Sequence, residues 1–409
     1  MSVPVRRLPL LVAVLSLGQI VGWGTTYYMP SVLAPALSRD LGLDPTGIYL
    51  GITIMVALGG LASPSVGRML DAHGAARTMP VAPLAIGLGH LLVAGFPSAI
   101  TWWIAWVLHG LAMPFGLTLA VTTFLTRASG VAARRAIGIL TLLVGFSPSL
   151  FWPLTALLES HFGWRGTLLV YAGLELGVLL PLQLWIGAGW SDRIPVAATA
   201  GSKDGRAPAA PPEFSPMGRR VAIVALVVMA TAQGFAAWGL PLHLIALFQD
   251  MGMARAEAVT IAAASGAATI AARLIEVGLG DRLRPLTTTV VSVAVLTPAL
   301  ALLAAPVDLT LAAWIFIVVW SGANGILTVS RMTLPLTLFG AAAYGTLVGR
   351  MSLPQNLAFA ASPAVFAIVI DHRGTTGALE LAIAVSLVAL VAAVVLARVG
   401  RGRRSATTH

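Results

Sequence analysis

Long apolar stretches, cut at intervals by glycine, proline or charge, dominate the chain from one end to the other. Read as spans they fall at 9–36, 46–67, 79–97, 99–126, 135–158, 166–187, 220–248, 257–278, 286–305, 309–334, 346–370 and 375–397. About 20 apolar residues cross a bilayer as a helix, so the pattern predicts twelve transmembrane helices. The runs are continuous and do not alternate, which argues against a β-barrel. Only Gly95-Phe96-Pro97-Ser98 separates the third span from the fourth. Prolines inside spans, such as Pro153, Pro298 and Pro363, are compatible with membrane helices, where neighbours satisfy the freed carbonyls.

One segment differs in kind. Residues 188–218 carry six charged residues and five prolines, the composition of a polar linker. It divides the chain into residues 1–187, the linker, and residues 219–409, with six spans on either side. The two sets echo one another. Gly67-Arg68-Met69-Leu70-Asp71 closes the second span and Gly280-Asp281-Arg282 the eighth. Gln19 and Trp23-Gly24 are echoed by Gln233 and Trp238-Gly239, and Pro153 with Trp164-Arg165-Gly166 by Pro363 with His372-Arg373-Gly374. The shared order predicts an all-α fold of two pseudo-symmetric six-helix bundles.

Composition agrees with this reading. Of 409 residues 58% are hydrophobic and only 10% charged, against about 25% charged in a soluble domain. The net charge of +10 would suggest nucleic acid in a soluble protein, but its placement gives another reading. With the N-terminus taken as cytoplasmic, every inside segment is net positive and no outside loop is. Positive-inside asymmetry of this kind puts both termini and the linker in the cytoplasm of a bacterial inner membrane. The excess charge then faces anionic lipid, with no need for nucleic acid. Arg6 and Arg7 precede an apolar run that continues past Tyr28, so the N-terminus reads as an uncleaved first span.

Several chemistries are excluded. The chain has no cysteine, hence no disulfide, thiol catalysis or thiolate metal site. Lys203, its only lysine, is followed by Asp204, so no P-loop exists. The seven histidines are scattered without ligand spacing, and no hydrolase motif occurs. Neither an enzyme nor a cofactor is expected; a secondary transporter is.

The motifs lead to the same place. Gly67-x-x-x-Asp71-x-x-Gly74-x-x-Arg77 resembles the loop motif of the major facilitator superfamily between its second and third spans, with Ala72 where that family has a base. Ala133-Arg134-Arg135-Ala136-Ile137-Gly138 and Gly163-Trp164-Arg165-Gly166 resemble two further signatures. Gly22-Trp23-Gly24, and Pro335-Leu336-x-Leu338-Phe339-Gly340 with Tyr344-Gly345, are similar to the monocarboxylate and oxalate–formate porters. Arg273 matches the arginine those porters carry in the eighth span. The resemblance implies a monomeric carrier of a small organic anion, a monocarboxylate first, with or without a proton. The oxalate porter's eleventh-span lysine has no equivalent beyond Arg350 near that helix's start, and a dicarboxylate fits less well. The competing reading is an exporter of hydrophobic or cationic drugs.

Candidate residues follow. Arg273 lies eight positions before Asp281, roughly 12 Å into the apolar layer at the helical rise. A cation at that depth must face water or a partner. Glu276, one turn away, is the partner or a proton carrier. On helices that the resemblance places around the cavity, Gln19, Trp23, Tyr27, Gln233, Trp238, Trp320 and Asn324 are expected to contact substrate, with His109 in the fourth span. Asp71, Arg77, Asp281, Arg282 and Arg350 are expected to gate the cytoplasmic side with Glu276. Glu175 sits in the sixth span, peripheral by the same resemblance, and reads as silent or as an oligomer contact.

Overall fold

The computed structural model describes residues 8–117, 119–129, 133–189, 214–279 and 285–401; for some of these, among them Asp71, Arg134 and Arg350, it describes the backbone alone. Asp281, Arg282 and most of the linker lie outside the described residues. Among the described residues all regular structure is helical. The chain divides into two compact units, Met1–Gly205 and Arg206–His409.

The first unit begins with α1 (Leu8–Trp23), a π turn (Gly24–Tyr28) and α2 (Pro30–Leu41), which together make the first crossing. Gly42, with φ 66°, ends it. Next come α3 (Pro45–His73), α4 (Ala75–Thr78), α5 (Val81–Gly95), α6 (Ala99–Gly116), α7 (Leu119–Ser129), α8 (Ala133–Val144) and α9 (Ser147–Gly173). A second π turn (Leu174–Leu179) leads into α10 (Leu180–Gly189). The second unit holds α11 (Pro216–Asp250), α12 (Arg255–Leu279), α13 (Pro285–Leu303) and α14, a helical path from Leu309 to Arg401.

Sequence dictates where these elements start. Asp44 accepts the Gly47 amide at 2.6 Å and Pro45 occupies the first helical position of α3; Ser215 and Pro216 repeat the arrangement at α11. Proline suits that position because its missing N–H would be orphaned there anyway. Ser98 and Thr101 form a reciprocal capping box at α6, so three residues, Phe96 to Ser98, suffice to separate the third crossing from the fourth.

Ten stretches of the described residues are long and apolar enough to span a membrane. Two are too long for one crossing: Arg135–Gly189 has 55 residues and Pro354–Val399 has 46. At about 1.5 Å per residue these would measure about 80 and 70 Å against an apolar layer of about 30 Å. Each is broken once by a glycine in the left-handed region, Gly163 at φ 65° and Gly374 at φ 63°, where other residues are strained. Each therefore crosses twice, and the total is the expected twelve.

Packing follows membrane rules. Large apolar side chains such as Leu61 and Ile100 point outward and are exposed, as a hydrocarbon solvent permits. Within the first unit α6 packs against α3 and α5. Gly51 lets α3 pass directly over the Trp106 ring, since a Cβ there would stand 2.5 Å from Trp106 Nε1.

The two units repeat each other in a register that differs from the expected echo. Ser147 Oγ donates to the Ile20 carbonyl at 2.8 Å, and Ser362 Oγ donates to the Phe235 carbonyl at 2.5 Å. Ser147-Pro148 is thus the counterpart of Ser362-Pro363, and Pro153 is not. Similarly Gly163 corresponds to Gly374, so Trp164 answers to Thr375. Trp164 Nε1 donates to Asp40 at 2.7 Å, and Thr375 Oγ1 donates to Asp250 at 3.4 Å. In both units an aspartate ending the first crossing is tied to the residue after the left-handed glycine.

Candidate functional site

In the second unit, polar groups from three crossings form one chain. Gln233 of α11 donates its amide to Asn324 Oδ1 in the first stretch of α14, and Asn324 donates in turn to the Trp320 carbonyl at 2.8 Å. The next residue, Gly325, offers its carbonyl to Arg273 Nε of α12 at 3.3 Å. Backbone proximity makes this contact available. Thr269 Oγ1 donates to the Ser321 carbonyl at 3.1 Å, and a Cβ on Gly325 would stand 3.0 Å from the Thr269 carbonyl.

Arg273 is half-buried and interacts electrostatically with Glu276, the pairing expected at i, i+3 on one helix. Its Nε is thus anchored to backbone, and the guanidinium is a planar fork with several donors. Trp320 is buried and stacks on Phe316 with ring centroids 5.6 Å apart. Trp238 is stacked on Phe359 with ring centroids 5.3 Å apart.

The first unit uses the matching glutamine in the same way. Gln19 donates its amide to the Gly116 carbonyl at 2.5 Å, while Trp23 Nε1 donates to Gln19 Oε1 at 3.2 Å and to the Leu117 carbonyl at 3.3 Å. These bonds fasten the first crossing to the fourth where α6 ends. Tyr27 is buried and meets Trp23 edge to face at 5.7 Å. His109 lies on another face of α6. Its Nε2 donates to the Ile86 carbonyl at 3.3 Å, and its ring packs 5.0 Å from His90 and 5.3 Å from Trp106. Gln19, Trp23 and Tyr27 therefore form one group, and His109 belongs to a separate interior cluster.

Burial decides between the two readings expected of Glu175. Glu175 is 1% exposed, sealed inside the first unit, which excludes the oligomer contact. It lies in the second π turn, and Thr25 of the first π turn donates to Glu175 Oε1 at 2.9 Å. π turns are rare and often mark functional positions. A carboxylate placed mid-span was the available signal; its partner, 150 residues earlier, carries none.

Around the loop motif, Gly74 ends α3 at φ 88° and returns its amide to the Leu70 carbonyl at 2.9 Å. Arg127 of α7 donates to the same carbonyl at 3.1 Å. Arg77, on α4, is exposed. Side-chain geometry at Asp71 and Arg350 is not described.

The model of the Major Facilitator Superfamily matches residues 15–363. The chain belongs to the Major Facilitator Superfamily. It also superposes on a solved structure, a bacterial homolog to the human lysosomal transporter Spinster in an inward-facing and occupied conformation. The TM-score is 0.71 at 15% identity, with 99% of each chain covered; at that identity the likeness concerns the fold. No curated protein matches the sequence. As a superfamily member with twelve crossings, the protein is a multi-pass membrane transporter of the secondary type, acting on a small molecule.

Proposed function

We propose that the protein carries a small organic anion, a monocarboxylate first, across a bacterial inner membrane by alternating access, with both termini cytoplasmic. The observation that supports this is Arg273. It is a half-buried guanidinium inside a crossing, tethered to Gly325 and beside the Gln233–Asn324 pair. A guanidinium keeps its charge and grips a carboxylate through two parallel hydrogen bonds. Glu276 holds that charge when no anion is present, so no buried cation is left uncompensated at any step. Trp320 and Asn324 shape the neighbouring wall, and Gln19, Trp23 and Tyr27 play the corresponding part in the first unit. Asp71, Arg77, Asp281, Arg282 and Arg350 form the cytoplasmic gate. Glu175, the buried acid of the first unit, is too enclosed to receive a cationic drug, which weighs against the exporter reading.

The test is a thermal-shift screen of purified protein against monocarboxylates, dicarboxylates and lipophilic cations, followed by uptake in proteoliposomes. Arg273→Lys is expected to weaken uptake about tenfold and Arg273→Gln to reduce it about a hundredfold, the range for losing a charged hydrogen-bonded contact. Arg273→Gln combined with Glu276→Gln should fold and still not transport. Normal transport by that double variant makes the pair structural and removes the anion reading.

A further inference from the structure

The second unit carries a groove on its outer wall that the transport reading does not use. It runs between α11 and the end of α14, with a volume of about 590 Å³. Its walls are two ladders at helical spacing, Val224 and Val228 on α11 and Leu387, Val391 and Val395 on α14. The floor is made shallow-sided by two small residues, Ala225 and Ala392, both buried. Every lining side chain is hydrocarbon except Arg220, at one end. Five residues of each helix line it, from Arg220 to Val228 and from Leu387 to Val395, a length of roughly 12 Å.

The charged end is well defined. The start of α11 lies beside the end of α14, since a Cβ on Gly218 would stand 3.6 Å from Val399 Cγ1. The helices are therefore antiparallel, and Arg219 and Arg398, both exposed, stand at the same end as Arg220. The first-turn amides of α11 point there as well. No acidic residue occurs from Phe214 to Gln249 or from Leu381 to the end of the chain. The groove thus joins an acyl-chain-sized apolar trough to a cationic mouth, with no acidic side chain on either helix at that end among the described residues.

Both helices are membrane-spanning, so what fills the trough is hydrocarbon. A second protein helix would satisfy the valines and leave the arginines without a counterion. A phospholipid satisfies both, because its chain fills the trough while its phosphate accepts the guanidinium fork. We infer that this groove is a binding site for one anionic phospholipid of the surrounding membrane, with an acyl chain along Val224, Val228, Leu387 and Val391 and the headgroup phosphate on Arg220. The site is independent of the transported substrate.

Native mass spectrometry of the full chain, titrated with phosphatidylglycerol or phosphatidylcholine, tests it. The first phosphatidylglycerol should bind at about fivefold lower concentration than phosphatidylcholine, whose choline cancels the phosphate charge, the preference expected from one arginine facing a net-anionic headgroup. Arg220→Gln should erase that preference while one lipid still binds. Val391→Trp, at an exposed wall position, should remove the first lipid of either kind. Arg165→Gln, on the other unit, should change neither. If Val391→Trp does not fold, the headgroup preference of Arg220→Gln decides alone. An unchanged first phosphatidylglycerol in Arg220→Gln overturns the assignment. So does a dimer that dissociates in Val391→Trp, which would make the groove the seat of a second copy.

Discussion

Replacing Thr25 by valine keeps the side chain's shape and deletes the hydroxyl that Glu175 depends on. The bond is 2.9 Å long and joins two residues that are 0% and 1% exposed. No water replaces the lost donor at that depth, so the carboxyl bears its desolvation unrelieved, about 1–3 kcal/mol. Thr25→Val should then lower the thermal midpoint by about 4–8 °C, taking about 2 kcal/mol and the usual 2–4 °C per kcal/mol for a unit of this size. Glu175→Leu alone should cost less, because it strands only a hydroxyl, and Thr25 retains the Gly22 carbonyl at 3.5 Å. The double variant should recover most of the loss, since exchanging a buried polar pair for apolar groups of similar shape is close to neutral. The assay is intrinsic-fluorescence melting in one detergent, read as a double-mutant cycle. A coupling of about 1–2 kcal/mol is expected between contacting buried groups. If the double variant is as unstable as the sum of the singles, the two π turns are not joined through this pair.

Gly234→Ala would place a Cβ 2.0 Å from Phe359 Cε1, a ring already pinned by Trp238; we expect about 1–3 kcal/mol of overpacking, largely rescued by Phe359→Leu and measured by the same melts. Gln19→Leu should cost about 1–3 kcal/mol by stranding the buried Gly116 carbonyl, visible as a lower midpoint without loss of expression. Single cysteines at Ser2 and Ser405 have a cysteine-free background; an impermeant thiol reagent should reach them only after lysis, and labelling in intact cells would reverse the topology.

How much of this was legible beforehand depends on the range of the interaction that fixes each feature. The crossings were legible because a run of apolar residues is its own signal, and Ser98, Ser215 and Asp44 mark starts through bonds to amides three residues away. The reversals at Gly163 and Gly374 were visible as glycines beside charge. Arg273 stood out because a cation inside a span is costly wherever it points. The π turns were not legible: Gly-Thr-Thr-Tyr-Tyr and Leu-Glu-Leu-Gly-Val-Leu look like ordinary helix, and the contact linking them spans 150 residues of chain. The repeat was seen in the right order but in the wrong register, because prolines are frequent and only Ser147 and Ser362 show which ones correspond.

The π turn at Gly24–Tyr28 also acts as a phase shifter. An α-helix advances about 100° per residue, and a π turn takes up an extra residue without advancing the helix beyond it. Whatever follows is rotated back by that angle. Asp40 lies twelve residues past the turn and still meets Trp164 squarely. Deleting Thr26 would remove that extra residue and let the turn relax to α-helix, with Asp40 still on the face that meets Trp164. The same deletion in the regular helix beyond the turn, at Ala34, has no extra residue to absorb it and should swing Asp40 roughly 100° around the axis, off its partner.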